Sequence, residues 1–339
     1  MRSQNGRRIT VLGGGSWGIA LSVLLNSKGH RVRTWEFAAE RAEAMKSERE
    51  NREMLPGIGI PEAILITSDV EEASQECDIL LFVVPSHALR DTARKVVPFL
   101  KKNETAVIAT KGIEEGTLKR MSEIAQEVMD ITPEKVAVLV GPSHAEEVSR
   151  GLPTTVVSAS SSEETAGMIQ NVFMTPRFRV YTNTDVVGVE IGVALKNVVA
   201  IAAGICDGLG YGDNTKGALL TRGLAEITRL GVRMGAKEVT FAGLAGIGDL
   251  ITTCISRHSR NRYVGQELGK GRTLQDILSG MVMVAEGVRT TKSAVGLAKK
   301  YEVETPIASE VYRILFEDKP VKQAITDLML RSPKPEVWW

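Results

Sequence analysis

The chain is short of several things, and each shortage excludes something. It has no charge of one sign in excess: 42 lysines and arginines face 41 aspartates and glutamates, for a formal net charge of +1. Nucleic-acid binding usually leaves a basic stripe, so this balance argues against such a partner. Any anionic ligand must then be held by a few local groups. Only three cysteines occur in 339 residues. Cys77, Cys206 and Cys254 form no C-x-x-C pair, and none stands with a histidine at zinc spacing. They read as reduced, buried thiols of a cytoplasmic protein that holds no metal. The first residues, "MRSQNGRR", lack the apolar core of a signal peptide. Repeats and low-complexity tracts are absent. Just one apolar run, Val186 to Ile205, is long enough to span a bilayer, and it contains Glu190, Lys196 and Asn197. An ionised group at mid-membrane costs about 2.5–3.5 kcal/mol. The run is therefore expected as a buried central helix, not a membrane span.

What is present divides into two parts. The length exceeds one ordinary hydrophobic core, which predicts two domains. In the first part, short apolar runs alternate with helical patterns: "RITVLG", "HRVRTWE", "CDILLFVVPS", "ETAVIATKG" and "KVAVLVGPS". The last three are nearly continuous, as expected of strands covered on both faces. Helical stretches at Ile19–Ser27, closed by Gly29, and at His87–Leu100 lie between them. This alternation predicts an α/β fold with a parallel, doubly wound sheet, extended by "PTTVVSAS" and "RFRVYTN". After about Asp185 the strand signals stop and helical patterns run nearly to the end. The expected division is 1–187 and 188–339, an α/β domain followed by an all-α one. The ending "RSPKPEVWW" reads as a frayed tail, with Trp338 and Trp339 as a candidate surface anchor.

"VLGGGSWGIAL" carries G-x-G-x-x-G between a strand and a helix. Gly13 permits the turn, Gly15 lets backbone approach a pyrophosphate, and Gly18 lets helix and strand pack closely. The helix N-terminus then offers N–H groups to phosphates. Glu36 sits at the end of the second strand, where a carboxylate accepts from ribose hydroxyls and repels a 2′-phosphate. That leans toward NAD over NADP, with Arg33 and Arg41 close enough to complicate the choice.

Ligands of open α/β sheets sit beyond the carboxyl ends of the strands. There "VVPS" frees a loop, "TKGI" places Lys111, and "GPSHAEEV" places Gly141 and Ser143, with Ser143 suited to an N-cap. Later, Lys196 occupies the middle of an apolar helix, where an ammonium needs a purpose or a partner. Glu190 is six residues away and on a different face, so the partner must come from elsewhere. A buried lysine can act as general acid or base. "GLAGIGDLITTC" supplies one charge, Asp249, and "SRHSRNRYVG" gathers Arg257, His258, Ser259, Arg260, Asn261 and Arg262 into a candidate phosphate clamp. Glu286 follows a methionine-rich run and reads as a helix start.

In this order, "GGGSWGIAL", "VVPSHALR", "TKGI", "GPSHAEEV", "VEIGVALKNVVAIAAGICDGL", "GLAGIGDLITTC", "SRNRYVG" and "AEGV" resemble the bacterial NAD(P)-dependent sn-glycerol-3-phosphate dehydrogenase family. The resemblance implies a Rossmann domain and a helical domain of the 6-phosphogluconate-dehydrogenase-like kind, in a cytoplasmic homodimer. It implies reversible reduction of dihydroxyacetone phosphate to sn-glycerol 3-phosphate, feeding glycerophospholipid synthesis. It makes Lys196 the proton acceptor in oxidation. It lines the substrate with Lys111, Gly141, Ser143, Asp249, Ser259, Arg260 and Asn261, and the cofactor with Ser16, Trp17, Ala145, Val284 and Glu286, with Lys111 and Arg260 bordering both. Three departures stand out. "GIAL" replaces "GTAL", Val140 stands where serine is frequent, and Glu36 stands where many relatives carry arginine or a neutral residue. A different Rossmann-plus-helical dehydrogenase, or a dinucleotide sensor without catalysis, are the rival readings. Turnover separates the sensor from an enzyme.

Overall fold

The computed structural model describes residues 6–101 and 103–336. Trp338 and Trp339 lie outside them. The chain forms two compact units, Met1–Lys111 with Met121–Val186, and Gly112–Arg120 with Val187–Trp339. The sequence reading cuts the chain once; here residues 112–120 leave the α/β unit and group with the helical one.

The α/β unit holds eight strands: β1 (Arg8–Leu12), β2 (Arg31–Trp35), β3 (Leu65–Thr67), β4 (Ile79–Phe82), β5 (Thr105–Ile108), β6 (Val136–Val140), β7 (Thr154–Ala159) and β8 (Phe178–Asn183). Their spatial order is β3-β2-β1-β4-β5-β6-β7-β8. The order reverses between β1 and β4, which is where ligands of doubly wound sheets bind. β4 and β6 are buried at every residue, which explains their continuous apolar runs. Two details depart from the sequence reading. β3 is three residues long, too short to show a period. β7 runs antiparallel to β6. A parallel crossover needs a substantial helix, and the β6–β7 connection contains only the short helix Ala145–Val148.

Helix Ser16–Ser27 ends as expected. Gly29 adopts φ +85, its N–H donates to Asn26 O (2.9 Å), and the His30 N–H donates to Leu25 O (3.2 Å). These are the paired bonds of a Schellman cap.

The helical unit packs around helix Val186–Gly208, termed here the lysine helix. Helices Asp213–Arg233, Asp249–Ile255, Arg260–Gly269 and Glu286–Lys300 each touch it, and Pro306–Phe316 packs on two of them in the same core. Of the apolar window in the lysine helix, 89% is buried within the fold, as the core-helix reading requires. A second apolar helical stretch, Glu238–Ile255, is broken by non-helical backbone at Gly246. The three cysteines are free and buried. Burial pushes the thiols of Cys77 and Cys254 up to about 11 and about 12.

Glu226 is buried and caps helix Pro306–Phe316, accepting from the N–H groups of Ile307 (2.8 Å) and Ala308 (3.3 Å). Burial pushes its carboxyl up to about 7, against the pull of those N–H groups and of Arg229. The folded state therefore holds a proton that the unfolded chain releases. This contribution to stability is full below the ordinary carboxyl range and is lost as pH rises through about 7. Its upper bound is about 3 kcal/mol. The melting temperature should fall between pH 5 and pH 8, and Glu226→Gln should flatten that slope. Parallel pH slopes for the two proteins would contradict this.

Candidate functional site

In the α/β unit, the turn after β1 owes its shape to glycine. Gly13 sits at φ +125, with the Val83 carbonyl oxygen only 2.9 Å from where a Cβ would stand. A Cβ on Gly18 would lie 1.8 Å from the Gly13 oxygen. Gly15 differs: its Cβ would meet only Met54 Sδ, in ordinary contact at 3.6 Å, so no backbone crowds that face of the turn. Ser16 and Trp17 open the helix, whose first turn has neither a side-chain cap nor an acidic residue. Open backbone and an uncapped positive helix end fit a pyrophosphate. Trp17 packs near Phe178, their ring centroids 6.5 Å apart.

Glu36 is only 3% exposed and lies against Gly14, where a Cβ would sit 2.7 Å from Glu36 Oε2. Glu36 Oε1 accepts from Arg41 Nη1 (2.9 Å) and from the Ala38 N–H (3.2 Å). Arg41 also reaches Glu53 (3.3 Å). Arg33 turns away and donates to Gln75 O. Of the two arginines near Glu36 in sequence, one pairs with it and the other is directed elsewhere.

The strand ends bring Lys111, Gly141 and Ser143 together. Lys111 Nζ donates to Gly141 O (2.9 Å), and Ser143 Oγ donates to the same oxygen (3.0 Å). Gly141 has φ +143, and a Cβ there would stand 3.0 Å from Val156 Cα. Ser143 is not an N-cap. The following helix begins at Ala145, its N-cap residue is His144, and no side chain caps it.

In the helical unit, Lys196 is 4% exposed and Asp249 is 1% exposed. Lys196 Nζ donates to Asp249 Oδ1 (2.7 Å) and to Thr253 Oγ1. The Thr253 hydroxyl in turn donates to Asp249 O (2.7 Å). The partner demanded by the apolar helix is thus Asp249, carried by helix Asp249–Ile255. Glu190 is matched separately, by Arg120 at 2.6 Å. Thr253 escaped the sequence reading, although a spacing of four from Asp249 places both on one helix face.

The expected clamp divides in the structure. Ser259 caps helix Arg260–Gly269, its Oγ accepting from the Arg262 N–H (3.2 Å). A hydroxyl that accepts keeps one hydrogen to donate. Arg257 and Arg260 are exposed. Arg262 belongs to a structural ion pair: its Nε meets Asp207 Oδ2 (2.6 Å), and Lys216 holds the other oxygen of that carboxylate. Asn261 is buried, donating to Asn197 Oδ1 (2.9 Å) and accepting from the Gly287 N–H (2.8 Å). It ties the lysine helix to the start of helix Glu286–Lys300, whose first residue is Glu286. Val284 lies two residues before it, partly buried.

Glycines set how closely the clamp helix approaches the lysine helix. A Cβ on Gly204 would lie 2.0 Å from Arg262 O, on Gly208 2.2 Å from Gln266 O, and on Gly265 1.9 Å from Ile201 O. Gly204 with Gly208, and Gly265 with Gly269, recur every four residues and so line one face of each helix.

Among the described residues no group of three or more His, Cys, Asp and Glu side chains is placed to hold a metal ion. Residues 8–166 match the family description "NAD-dependent glycerol-3-phosphate dehydrogenase N-terminus", and residues 185–326 match its C-terminus. A protein named glycerol-3-phosphate dehydrogenase [NAD(P)+] from Chlorobium phaeobacteroides is 53% identical over 331 residues, covering 97% of this chain and 99% of its own. One of the same name from Moorella thermoacetica is 52% identical over 330 residues, covering 97% of each chain. The crystal structure of a glycerol-3-phosphate dehydrogenase from Coxiella burnetii superposes with TM-score 0.92 at 36% identity, covering 96% of this chain and 99% of that one.

Proposed function

The chain belongs to the NAD-dependent glycerol-3-phosphate dehydrogenase family, and on that premise we propose that it interconverts dihydroxyacetone phosphate and sn-glycerol 3-phosphate with NAD(P)H. The observation that carries this reading is the Lys196–Asp249 pair, an ammonium buried in the middle of an apolar helix and held by one carboxylate and one hydroxyl. When bound, NAD(P)H supplies the hydride. Protonated Lys196 polarises the substrate carbonyl and gives its proton to the oxygen; neutral Lys196 takes the hydroxyl proton in the reverse direction. Asp249 and Thr253 aim the Nζ and hold its charge. Lys111, Gly141, Ser143, Ser259, Arg260 and Asn261 are assigned to the substrate and its phosphate, which converts binding energy into orientation. Ser16, Trp17, Ala145, Val284 and Glu286 are assigned to the cofactor, with Gly13, Gly15 and Gly18 shaping its cradle. A cytoplasmic homodimer supplying phospholipid synthesis is part of the same reading.

The finer assignment is NADH over NADPH. It rests on Glu36 beside the glycine turn, and on Arg41, whose charge is already met by Glu36 and Glu53. The turn has a carboxylate but no spare cation from this pair for a 2′-phosphate. Glu36→Arg should shift the ratio of kcat/KM for the two cofactors toward NADPH by at least tenfold, the step that about 1.4 kcal/mol of discrimination produces. An unchanged ratio would remove Glu36 from cofactor choice.

The test of the whole reading is the loss of reduced-cofactor absorbance with dihydroxyacetone phosphate, run with NADH and with NADPH, and with unphosphorylated dihydroxyacetone as control. Turnover confined to the phosphorylated ketone is expected. A folded protein that binds a cofactor but turns over neither ketone would be a sensor or a dehydrogenase of another substrate.

A further inference from the structure

The glycine turn after β1 is held by a side chain from outside its motif. Asn51 is 3% exposed, and its Nδ2 donates to Gly14 O (2.8 Å) across 37 positions of sequence. Nδ2 also faces Met45 Sδ (3.7 Å), while Oδ1 accepts from the Met54 N–H (3.1 Å). These partners fix which end of the amide meets the turn, because the Gly14 carbonyl needs a donor and the Met54 N–H needs an acceptor.

Asn51 is itself firmly placed. It lies in the segment 49–60, which follows helix Ala39–Glu48. The segment closes on itself: Glu50 and Gly59 form an antiparallel bridge, and the Ile60 N–H donates to Arg49 O (2.7 Å). The Leu55 N–H donates to Asn51 O (2.8 Å), and Leu55 and Ile60 are buried in the α/β core. Glu53, two residues on, pairs with Arg41, which also holds Glu36, and Glu36 Oε2 lies against Gly14. Gly14 thus has a placed side chain at its Cα and another at its oxygen. All of these residues belong to the α/β unit.

The consequence follows from peptide geometry. In a planar trans peptide the carbonyl and the N–H that follows it point in opposite directions. Holding Gly14 O therefore sets the direction of the Gly15 N–H, away from Asn51. Gly13, Gly14 and Gly15 are consecutive. Three glycines give the turn its room, but glycine restrains its own peptide planes least of all residues. A hydrogen bond from a buried side chain removes that freedom before any ligand arrives, and such preorganisation lowers the cost of binding.

We propose that Asn51 is a positioning residue of the cofactor cradle, which holds Gly14 O and so sets the Gly15 N–H as a donor for the pyrophosphate. This rests on the dinucleotide reading of the glycine turn. Asn51 acts through the Gly14–Gly15 peptide and not by contact with the cofactor.

Two substitutions separate this tether from the local turn. Asn51→Ala removes both. Asn51→Ser keeps the local turn, because a serine hydroxyl can also accept the N–H three residues on. Its side chain is one bond shorter and gives up Gly14 O. NADH fluorescence titration reads affinity and the number of sites together. Asn51→Ser should weaken NADH by about tenfold, as expected when a donor to a charged group is misdirected, with as many sites per chain as wild type. A merely structural role moves the other quantity, leaving fewer competent chains at unchanged affinity. Asn51→Ala should match the serine variant in affinity, and if it does not fold, the serine variant decides alone. Affinity within twofold of wild type in Asn51→Ser overturns the proposal, and so does a loss of sites at wild-type affinity. A wild-type protein that binds neither NADH nor NADPH overturns the dinucleotide reading itself, a result distinct from variants that bind as well as wild type.

Discussion

Lys196→Ala is expected to lose about 10²- to 10⁴-fold in kcat, the range over which a positioned acid–base group contributes. The argument has two parts, which separate experimentally. Lys196 Nζ donates to Asp249 and Thr253, and under the proposed mechanism its removal takes away both polarisation of the carbonyl and the proton. The same change takes from Asp249, 1% exposed, the ammonium whose hydrogen bond it accepts. Breaking a buried pair from one side costs about 3–5 kcal/mol, so the variant should also melt earlier. NADH titration settles which effect dominates. The glycine cradle lies in the α/β unit and Lys196 in the helical unit, so cofactor affinity should survive in the folded fraction. Intact binding with lost turnover identifies a chemical role. Turnover within tenfold of wild type, in protein that binds NADH normally, would sink it. Adding Asp249→Asn to Lys196→Ala should recover part of the stability, because a neutral amide is cheaper to bury than a carboxylate that has lost this ammonium, and none of the activity.

Gly265→Ala should be among the most damaging conservative changes in the chain. A Cβ there would lie 1.9 Å from Ile201 O and 2.8 Å from Ile201 C, so it meets lysine-helix backbone rather than a side chain that can swing away. The two helices must separate, and the clamp helix carries Ser259, Arg260 and Asn261 with it. Overpacking commonly costs about 1–3 kcal/mol, and the upper end is expected where backbone meets backbone. Gly217→Ala is the matched control. It lies in helix Asp213–Arg233, with nothing within 4 Å of the added Cβ. Alanine should stabilise that helix by about 0.5–1 kcal/mol. Gly265→Ala should therefore lower the melting temperature and raise KM for the phosphorylated ketone, while Gly217→Ala raises the melting temperature slightly and leaves kinetics alone. Equal melting temperatures for the two variants would refute the close-packing argument.

Local signals were readable because they concern neighbours along the chain. The approach of Gly18 to Gly13, the Gly29 cap and the buried runs of β4 and β6 obey short-range sterics and a burial pattern that needs no partner to be named, although what crowds Gly13 itself is the distant Val83. The anomaly of Lys196 was also readable, because an ammonium in an apolar helix is costly whatever surrounds it. What sequence could not assign was the partner. Lys196 and Asp249 are 53 positions apart, and Arg120 and Glu190 are 70 apart. Spacing carries no information at such separations.

The basic cluster after Ser256 shows the same limit from the other side. Six adjacent polar residues looked like one clamp, but helix geometry sends consecutive residues in different directions. Arg262 is spent on Asp207, and Asn261 ties two helices together. The antiparallel turn of β7 followed from a connection too short for a crossover, and the grouping of residues 112–120 with the helical unit from contacts such as Ile113 with Ser293 and Arg120 with Glu190. Composition and local pattern determined the fold class, the glycine cradle and the buried lysine, because each is dictated within a few residues. Which carboxylate holds that lysine, which basic groups belong to the scaffold, and where residues 112–120 dock were decided by tertiary structure alone, because each depends on side chains brought together from distant parts of the chain.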